Sequence, residues 1–462
     1  MSSRSGGLLE LVARGKKDVF FTANPKTSFF HSVYKRAAPF SKEIYITKPR
    51  NIPEWGHWTE FELEHRGDLA RAFYLRLELP TWLPGSAVAA NGNGLVTDAS
   101  GITFGYCNNV GFQIIDRIQV FQDTVLLHEL YGEYLDWRLR QSYGMATTFT
   151  LAQDIGSRPE TALAIGRSAT HGLLRVPLPL LGWQHLYEPG FPLVCCRSQR
   201  FRIRILFRKV TDVVVASDGR LRPQPWGGKP LRIQTASGGP IDTSQVTLPF
   251  ESMKSLGASL ESTQVYLPAD VTMALKAQRH VIPFLTVQAQ QTTIEDNMLT
   301  AAATPGFAMF SMPIPVEFIG NVDRLLLGFR SEAATLAGQR GTLTPAARTV
   351  RLNIAGLDRI KQWPVSLYRE VSAYWKNARL GLEASGTAQE VYTLTFGGFD
   401  YEVPAGTLSF TRAVLPTLYL TLASLPFDTR NISRKTFALV YAESWNVFAV
   451  ENGKGRMLFD DS

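Results

Sequence analysis

The sequence predicts an all-β protein of two β-sandwich halves, with a few short helices in the loops. Three observations carry this reading. The 462 residues include 37 Gly, 26 Pro and 11% aromatics, a mix that suits short strands joined by turns. Apolar and polar residues alternate with period two in several stretches along the chain. A stretch rich in Gly, Pro, Ser and Thr, from about residue 216 to 257, lies between two parts of similar size. At roughly 100–200 residues per domain, the length suits two large β domains.

The strands are read as follows. Phe73, Leu75, Leu77 and Leu79 alternate with Tyr74, Arg76 and Glu78. Residues 112–121 (FQIIDRIQVF) form a β-rich run. Val350, Leu352 and Ile354 alternate with Arg351 and Asn353, and Leu418, Leu420 and Leu422 with Thr417, Tyr419 and Thr421. Only Leu130–Arg140 and Val365–Ala378 have the spacing of short amphipathic helices. The expected organisation is an N-terminal arm over 1–26, a first half over 27–215, a linker over 216–257 and a second half over 258–462. Residues 85–105 and 330–347 read as surface loop excursions. The two halves show no strong internal repeat.

Charge is uneven. The net +8 combines +5 in Met1–Arg36 and +8 in Arg197–Arg232, which leaves the rest of the chain at −5. Such patches suggest nucleic acid, yet Arg200, Arg202 and Arg204 alternate with Phe201, Ile203 and Ile205. That pattern puts the arginines on the outer face of a strand whose other face is core. Sequence-specific nucleic-acid binding is not expected. Met1–Ala13 is interrupted by Glu10 and lacks the apolar core of a signal peptide. No run approaches the ~18 apolar residues of a membrane span. The chain therefore reads as cytosolic at synthesis.

The search for chemistry finds no assembled constellation, so no enzyme activity and no cofactor are expected. None of the seven histidines forms a metal-ligating pair at helical or strand spacing. His57 and His65 in GHWTEFELEH stand eight apart, across an expected turn. No GxSxG elbow is present, and GGKP at 227–230 lacks the spacing of a phosphate loop. Cys107, Cys195 and Cys196 read as three buried thiols. Asn431-Ile432-Ser433 is one glycan acceptor triplet. Trp55, Trp58 and Trp82 are candidate platforms of a carbohydrate-binding sandwich, or simply core and interface aromatics.

Five segments, in order, carry a resemblance. The N-terminal stretch holds Gly15, Asp18, Thr22, Asn24, Pro25, Phe29, Phe30, Tyr34, Lys35 and Arg36. Residues 106–137 contain VGFQIID and a Trp-bearing helix. RVPLPLLGW follows at 175–183, GTLSFTR at 406–412, and FALVYAESWNVFAVENGKGRMLF at 437–459. Together these resemble major capsid proteins of nucleocytoplasmic large DNA viruses, such as iridoviruses, phycodnaviruses and marseilleviruses. Lys16-Lys17, Ser409 and Trp445 depart from the usual residues at their positions.

The resemblance implies a double jelly roll: two consecutive eight-stranded sandwiches. It implies a homotrimer forming pseudo-hexagonal capsomers that tile an icosahedral shell over an internal membrane. The virion is then the expected location, with assembly in the host cytoplasm. Neighbouring capsomers, minor capsid proteins and the inner membrane surface are the expected partners. Arg14, Lys16 and Lys17 are candidate contacts to the inner side of the shell, and the two excursions are candidate parts of outward towers. A minor capsid or scaffold paralogue is the alternative within the same fold.

Overall fold

In the computed structural model the strands pair into two sandwiches of the same connectivity. The structure describes residues 39–82, 94–98, 100–142, 154–159, 161–170, 172–181, 190–219, 231–235, 256–295, 311–344, 346–368, 391–397, 406–422 and 435–459. The first sandwich contains β1 (Ser41–Thr47), β2 (Trp58–Leu63), β3 (Leu69–Glu78), β4 (Gly94–Thr97), β5 (Phe104–Tyr106), α1 (Val110–Gln113), β6 (Ile115–Gln122), β7 (Val125–Tyr131), α2 (Gly132–Ser142), α3 (Ala162–Arg167), β8 (Leu173–Leu178), β9 (Phe201–Phe207), β10 (Val214–Ala216), β11 (Arg232–Thr235) and β12 (Gly257–Tyr266). Its two main sheets run β1-β12-β3-β8 and β2-β9-β6-β7.

After α4 (Ala269–Ala277) the second sandwich begins. It contains β13 (His280–Ile294), β14 (Ser311–Pro315), β15 (Asn321–Ser331), α5 (Glu332–Leu336), β16 (Ala347–Ile354), β17 (Leu357–Pro364), β18 (Tyr392–Thr395), β19 (Leu408–Ser409), β20 (Thr417–Leu422), β21 (Thr436–Glu451) and β22 (Lys454–Met457). Its sheets run β13-β21-β15-β18 and β14-β20-β16-β17, with β19 and β22 added to the first. Strand for strand this is the order of the first sandwich, so each half is an eight-stranded jelly roll.

Period-two patterning builds most of these strands. Phe201, Ile203, Ile205 and Phe207 of β9 are buried, and so are Val350 and Leu352 of β16 and Leu418, Leu420 and Leu422 of β20. Hairpin turns follow local chemistry. Asn452-Gly453 between β21 and β22, and Ala355-Gly356 between β16 and β17, both take positive φ at two successive residues. That is the turn whose twist matches a two-residue hairpin, and Asn-Gly is its strongest signal. The long edge strand β13 is braced by side chains. Gln288 Nε2 donates to the Ile319 carbonyl at 2.6 Å, and Gln290 Nε2 to that of Pro315 at 2.7 Å. The same two amides accept from the backbone N–H of Ile319 and Glu317.

Several expectations are corrected. The run at 112–121 opens as the short helix α1 and becomes a strand only at Ile115; Asn109, with a left-handed φ of 53°, starts the helical turn. The helix expected from Leu130 starts at Gly132, because Leu130 and Tyr131 still pair with β6. Only the first residues of the Val365–Ala378 candidate are described. The stretch 216–257 does not separate the sandwiches. Arg232–Thr235 pairs with β4, and β12, which follows the stretch, pairs with β1 and β3 of the first sandwich. The excursion is thus a loop inside one jelly roll, and the crossing to the second runs through α4. Composition marks a loop in either case; only pairing tells which strands it joins.

The central strands β21 and β15 of the sheet β13-β21-β15-β18 are buried on both faces. Leu325, Leu327 and Phe329 of β15, with Ala438, Val440 and Ala442 of β21, line the second sandwich's own core. The alternate residues Leu326, Leu439 and Tyr441 belong to the core of the first sandwich. The second sandwich therefore uses the outer face of one sheet as a wall of its neighbour. At the centre of this contact a Cβ on Gly328 would lie 2.5 Å from Trp137 Cη2 and 2.9 Å from Cζ2. Only glycine lets the indole of α2 rest on β15. Gly328→Ala is expected to lower unfolding stability by about 1–3 kcal/mol in urea titrations. Gly172→Ala, where a Cβ meets nothing within 4 Å, is expected to stay within about 0.5 kcal/mol of the unsubstituted protein.

The buried ionic junction and candidate assembly surfaces

Helix α2 carries the junction between the sandwiches. Glu133 and Trp137, and Tyr134 and Arg138, are pairs four residues apart, so all four sit on adjoining helical faces. They meet the outward residues of β15 and β21. Tyr441 is ringed by aromatics, with centroids 5.8 Å from Tyr131, 5.8 Å from Tyr134 and 5.1 Å from Trp137. The Trp137 contact is edge-on at 85°, the geometry that the ring quadrupoles favour.

Two carboxylates organise the charge here. Glu443 on β21 accepts from Arg138 Nη1 at 2.9 and 3.0 Å, from the Tyr134 hydroxyl at 2.8 Å, and from Arg324 Nε. Burial works against the charge on Arg138, but Glu443 outweighs it and raises that guanidinium further. Burial and the same carboxylate push the Tyr134 hydroxyl well above its ordinary value.

Glu133 Oε1 lies 2.6 Å from Arg330 Nη1, 3.0 Å from Arg208 Nη2 and 3.6 Å from Arg340 Nη1. Burial alone would raise the Glu133 carboxyl, yet these three guanidiniums reverse that and hold it at about 2. Burial, with its neighbours Arg208 and Arg330, lowers Arg340 in turn. Arg208 also donates to Asp116 at 3.2 Å and to the Gln113 carbonyl at 2.9 Å, tying α1 to the cluster. Asp136 completes the link by accepting from Asn109 and Gln113 at 2.8 and 3.0 Å.

This junction also settles the excursion at 330–347. Arg330 and Arg340 reach into the Glu133 cluster, and Gly338 passes the Val214 carbonyl so closely that a Cβ would lie 2.3 Å from it. Much of the segment packs on the first sandwich. In the other excursion, Leu95, Val96 and Phe104 are buried in strands; residues 83–93 lie outside the described part.

The remaining expected sites fall as follows. Arg14, Lys16, Lys17 and Asn431 lie outside the described residues. The arginines of β9 are matched across the strand pair: Arg204 faces Glu60 and Arg202 faces Glu62 in register. Arg204 also stacks over Trp58, 4.9 Å from its ring centroid. The basic strand is thereby largely neutralised by its neighbour. His57 and His65 flank the single strand β2 rather than a turn. Among the described residues no group of three or more His, Cys, Asp or Glu could hold a metal ion. Trp82 is core, 1% exposed and 5.2 Å from the Tyr106 ring; Trp55 and Trp58 are half-buried. None of the three forms an open platform. Cys107, Cys195 and Cys196 are buried and none is in a disulfide. No described helix is long and apolar enough to cross a membrane.

Glu133→Gln strips three guanidiniums of their shared counter-charge. It is expected to cost about 3–5 kcal/mol in urea unfolding followed by tryptophan fluorescence. Because the folded Glu133 carboxyl titrates at about 2 rather than 4.5, its stabilisation is complete above pH 4.5. It is lost as the pH falls from there toward 2. The variant is expected to lack that loss. Burial also lowers His128 from 6.5 to about 4, so its own acid loss falls between those pH values and persists in the variant.

No protein-family model matches the chain. Among curated proteins, the major capsid protein of Pyramimonas orientalis virus is 26% identical over 220 residues, 47% of this chain and 50% of that protein. The major capsid protein of Chrysochromulina ericina virus is 32% identical over 141 residues, 30% of this chain and 24% of that protein. Capsid protein 1 of Acanthamoeba polyphaga mimivirus is 26% identical over 223 residues, 46% and 36% of the two chains. The matched stretches thus span half or less of these relatives' own length. Among solved structures, PBCV-1 VP54 aligns over 94% of this chain and 100% of that one, at 14% identity and a TM-score of 0.66. The Faustovirus major capsid protein aligns over 94% of both chains, at 13% identity and a TM-score of 0.58. The chain is thus similar, over half or less of their length, to proteins named as capsid or major capsid proteins of large DNA viruses, and its two jelly rolls, connected alike, give it the fold of PBCV-1 VP54 and the Faustovirus major capsid protein.

Proposed function

We propose that this chain is a structural, non-enzymatic capsid subunit of a large double-stranded DNA virus. Three copies close into a pseudo-hexagonal capsomer, and capsomers tile the icosahedral shell of a virion assembled in the host cytoplasm. The observation that carries this reading is the alignment of both sandwiches, 94% of the chain, with PBCV-1 VP54. The junction adds to it. Two jelly rolls locked by buried charge and a shared sheet make one stiff building block, as a shell subunit requires. A capsid protein works by burying surface between copies, and obligate interfaces of this kind bury roughly 2,000–5,000 Å². Threefold closure needs heterologous contacts, one face of a subunit against a different face of the next.

The basic arm is assigned on chemistry. Arg14, Lys16 and Lys17 give it positive charge suited to minor capsid proteins or to an anionic inner membrane surface. The arginines of β9, by contrast, are matched with glutamates, which argues against a genome-binding stripe. Light scattering of the purified chain is expected to give three times its mass of 51.4 kDa, with hexagonal particles or sheets in electron micrographs. A monomer at all concentrations would end the reading. Deletion of residues 1–24 is expected to leave the trimer intact and reduce the yield of closed shells. Shells of normal yield and stability would remove the arm from assembly.

A further inference from the structure

Both jelly rolls have the same strand order, so each strand has a counterpart. β1 corresponds to β13, and β7 to β17. Within the chain, β7 of the first sandwich lies alongside β13 of the second, and Leu127, Leu130 and Val287 on these strands are buried in the same core. The two counterparts are open. β17 is exposed along nearly its whole length, with Leu357 at 76% and Trp363 at 50%. On β1, Ile44 is 62% exposed and Ile46 is 42% exposed.

The correspondence extends to register. On the outer face of the second sandwich, Val287 of β13 pairs with Glu443 of β21, which pairs with Arg324 of β15. On the first sandwich, Ile46 of β1 pairs with Glu261 of β12, which pairs with Tyr74 of β3. Glu261, like Glu443, is almost wholly buried. Arg175 neutralises it, with Nε 3.1 Å from Oε2, and lies 3.9 Å from the Tyr74 ring centroid. An apolar residue beside a paired glutamate thus occurs on both outer faces, and only one of them is covered in cis. The end of β7 and the segment after β17 also share a short pattern, Leu130-Tyr131-x-Glu133 and Leu367-Tyr368-x-Glu370.

We propose that the face formed by Ile44, Ile46, Tyr74 and Glu261 is an interface for the β17 edge of a second copy of this chain, with Trp363 as its anchor. This inference rests on the capsomer reading and names the surfaces that close it. The intrachain contact of β7 with β13 is repeated between chains by β17 with β1. Each copy offers one free donor edge and one free acceptor face, so the contact is heterologous and closes after three chains and six sandwiches. A second copy fits better than another partner because the exposed pair reproduces, strand for strand, a pair that already packs within the chain. Trp is among the residues that most often carry interface energy, and exposed apolar edge strands are otherwise a liability.

The test uses the full chain and three substitutions, Ile46→Glu, Trp363→Glu and, as a control on α4, Met273→Glu, where the side chain is 70% exposed. Mass is read by light scattering and folding by circular dichroism. The expected result is a fall from three chain masses to one for Ile46→Glu and for Trp363→Glu, with unchanged spectra. The Met273→Glu control is expected to keep three. As a second route that keeps Ile46 and Trp363, Ile44→Cys and Leu357→Cys chains, both positions exposed on the same two strands, are mixed and treated with a short bismaleimide. A covalent heterodimer is expected from the mixture and much less from either chain alone, since the native thiols are buried. If the unsubstituted chain is a trimer while both glutamate variants stay trimeric and the cysteines do not cross-link, the interface is wrong and the capsomer reading stands. If the unsubstituted chain is a monomer, both fall.

Discussion

Glu133 and Glu443 are buried between the two sandwiches, and much of the molecule is arranged to give them partners there. Burying a carboxylate costs several kcal/mol unless its partners are close and well placed. Glu443 has two guanidiniums and a tyrosine hydroxyl within bonding reach. Glu133 has three guanidiniums from three different segments. These six partners come from four elements: α2 and the strand β15 with two each, and the segment after β9 and the loop after α5 with one each. Such a cluster is demanding in geometry, and that is its structural value. Apolar surface alone would allow the sandwiches to slide, because hydrophobic contact is not directional. Fixed hydrogen-bonding partners admit one register.

The apolar part of the same junction depends on one sheet doing double service. β15 and β21 send alternate side chains into two different cores. A strand buried on both faces normally belongs to an α/β protein with helices on each side. Here the second layer is a neighbouring jelly roll and one eleven-residue helix. Trp137 on Gly328, with Tyr441 against three aromatic rings, fills the space between. The two jelly rolls therefore have no independent solvent-facing walls at the junction and share one packed sheet.

That shared sheet bears on assembly. A shell subunit has to present interfaces at fixed angles, since a small rotation between its halves would be multiplied around a closed ring. In the proposed trimer, the matched strand order of the two sandwiches lets the inner junction serve as the template for the contact between chains. The same edge-to-face geometry needs no new design to be used between chains. It needs only that the second pair of surfaces be left open, as β1 and β17 are.

The sequence by itself determined the all-β class, the alternating strands such as β9, β16 and β20, and the arginines facing outward on β9. These are local matters: a period-two pattern decides which face a side chain takes whatever the strand packs against. It also held the Asn452-Gly453 turn and the short helix bearing Trp137. What only the tertiary structure decided was which outer faces are really outer. Arg324, Leu326, Gly328 and Arg330 alternate with core residues yet face the other sandwich, and periodicity cannot tell water from a neighbouring sandwich. The partners of Glu133 lie 75 to more than 200 residues away, beyond any motif. The glycine-rich stretch before β12 carries the composition of a linker, yet it is a loop inside the first jelly roll. Strand pairing across long separations made that choice, and pairing is a property of the folded chain.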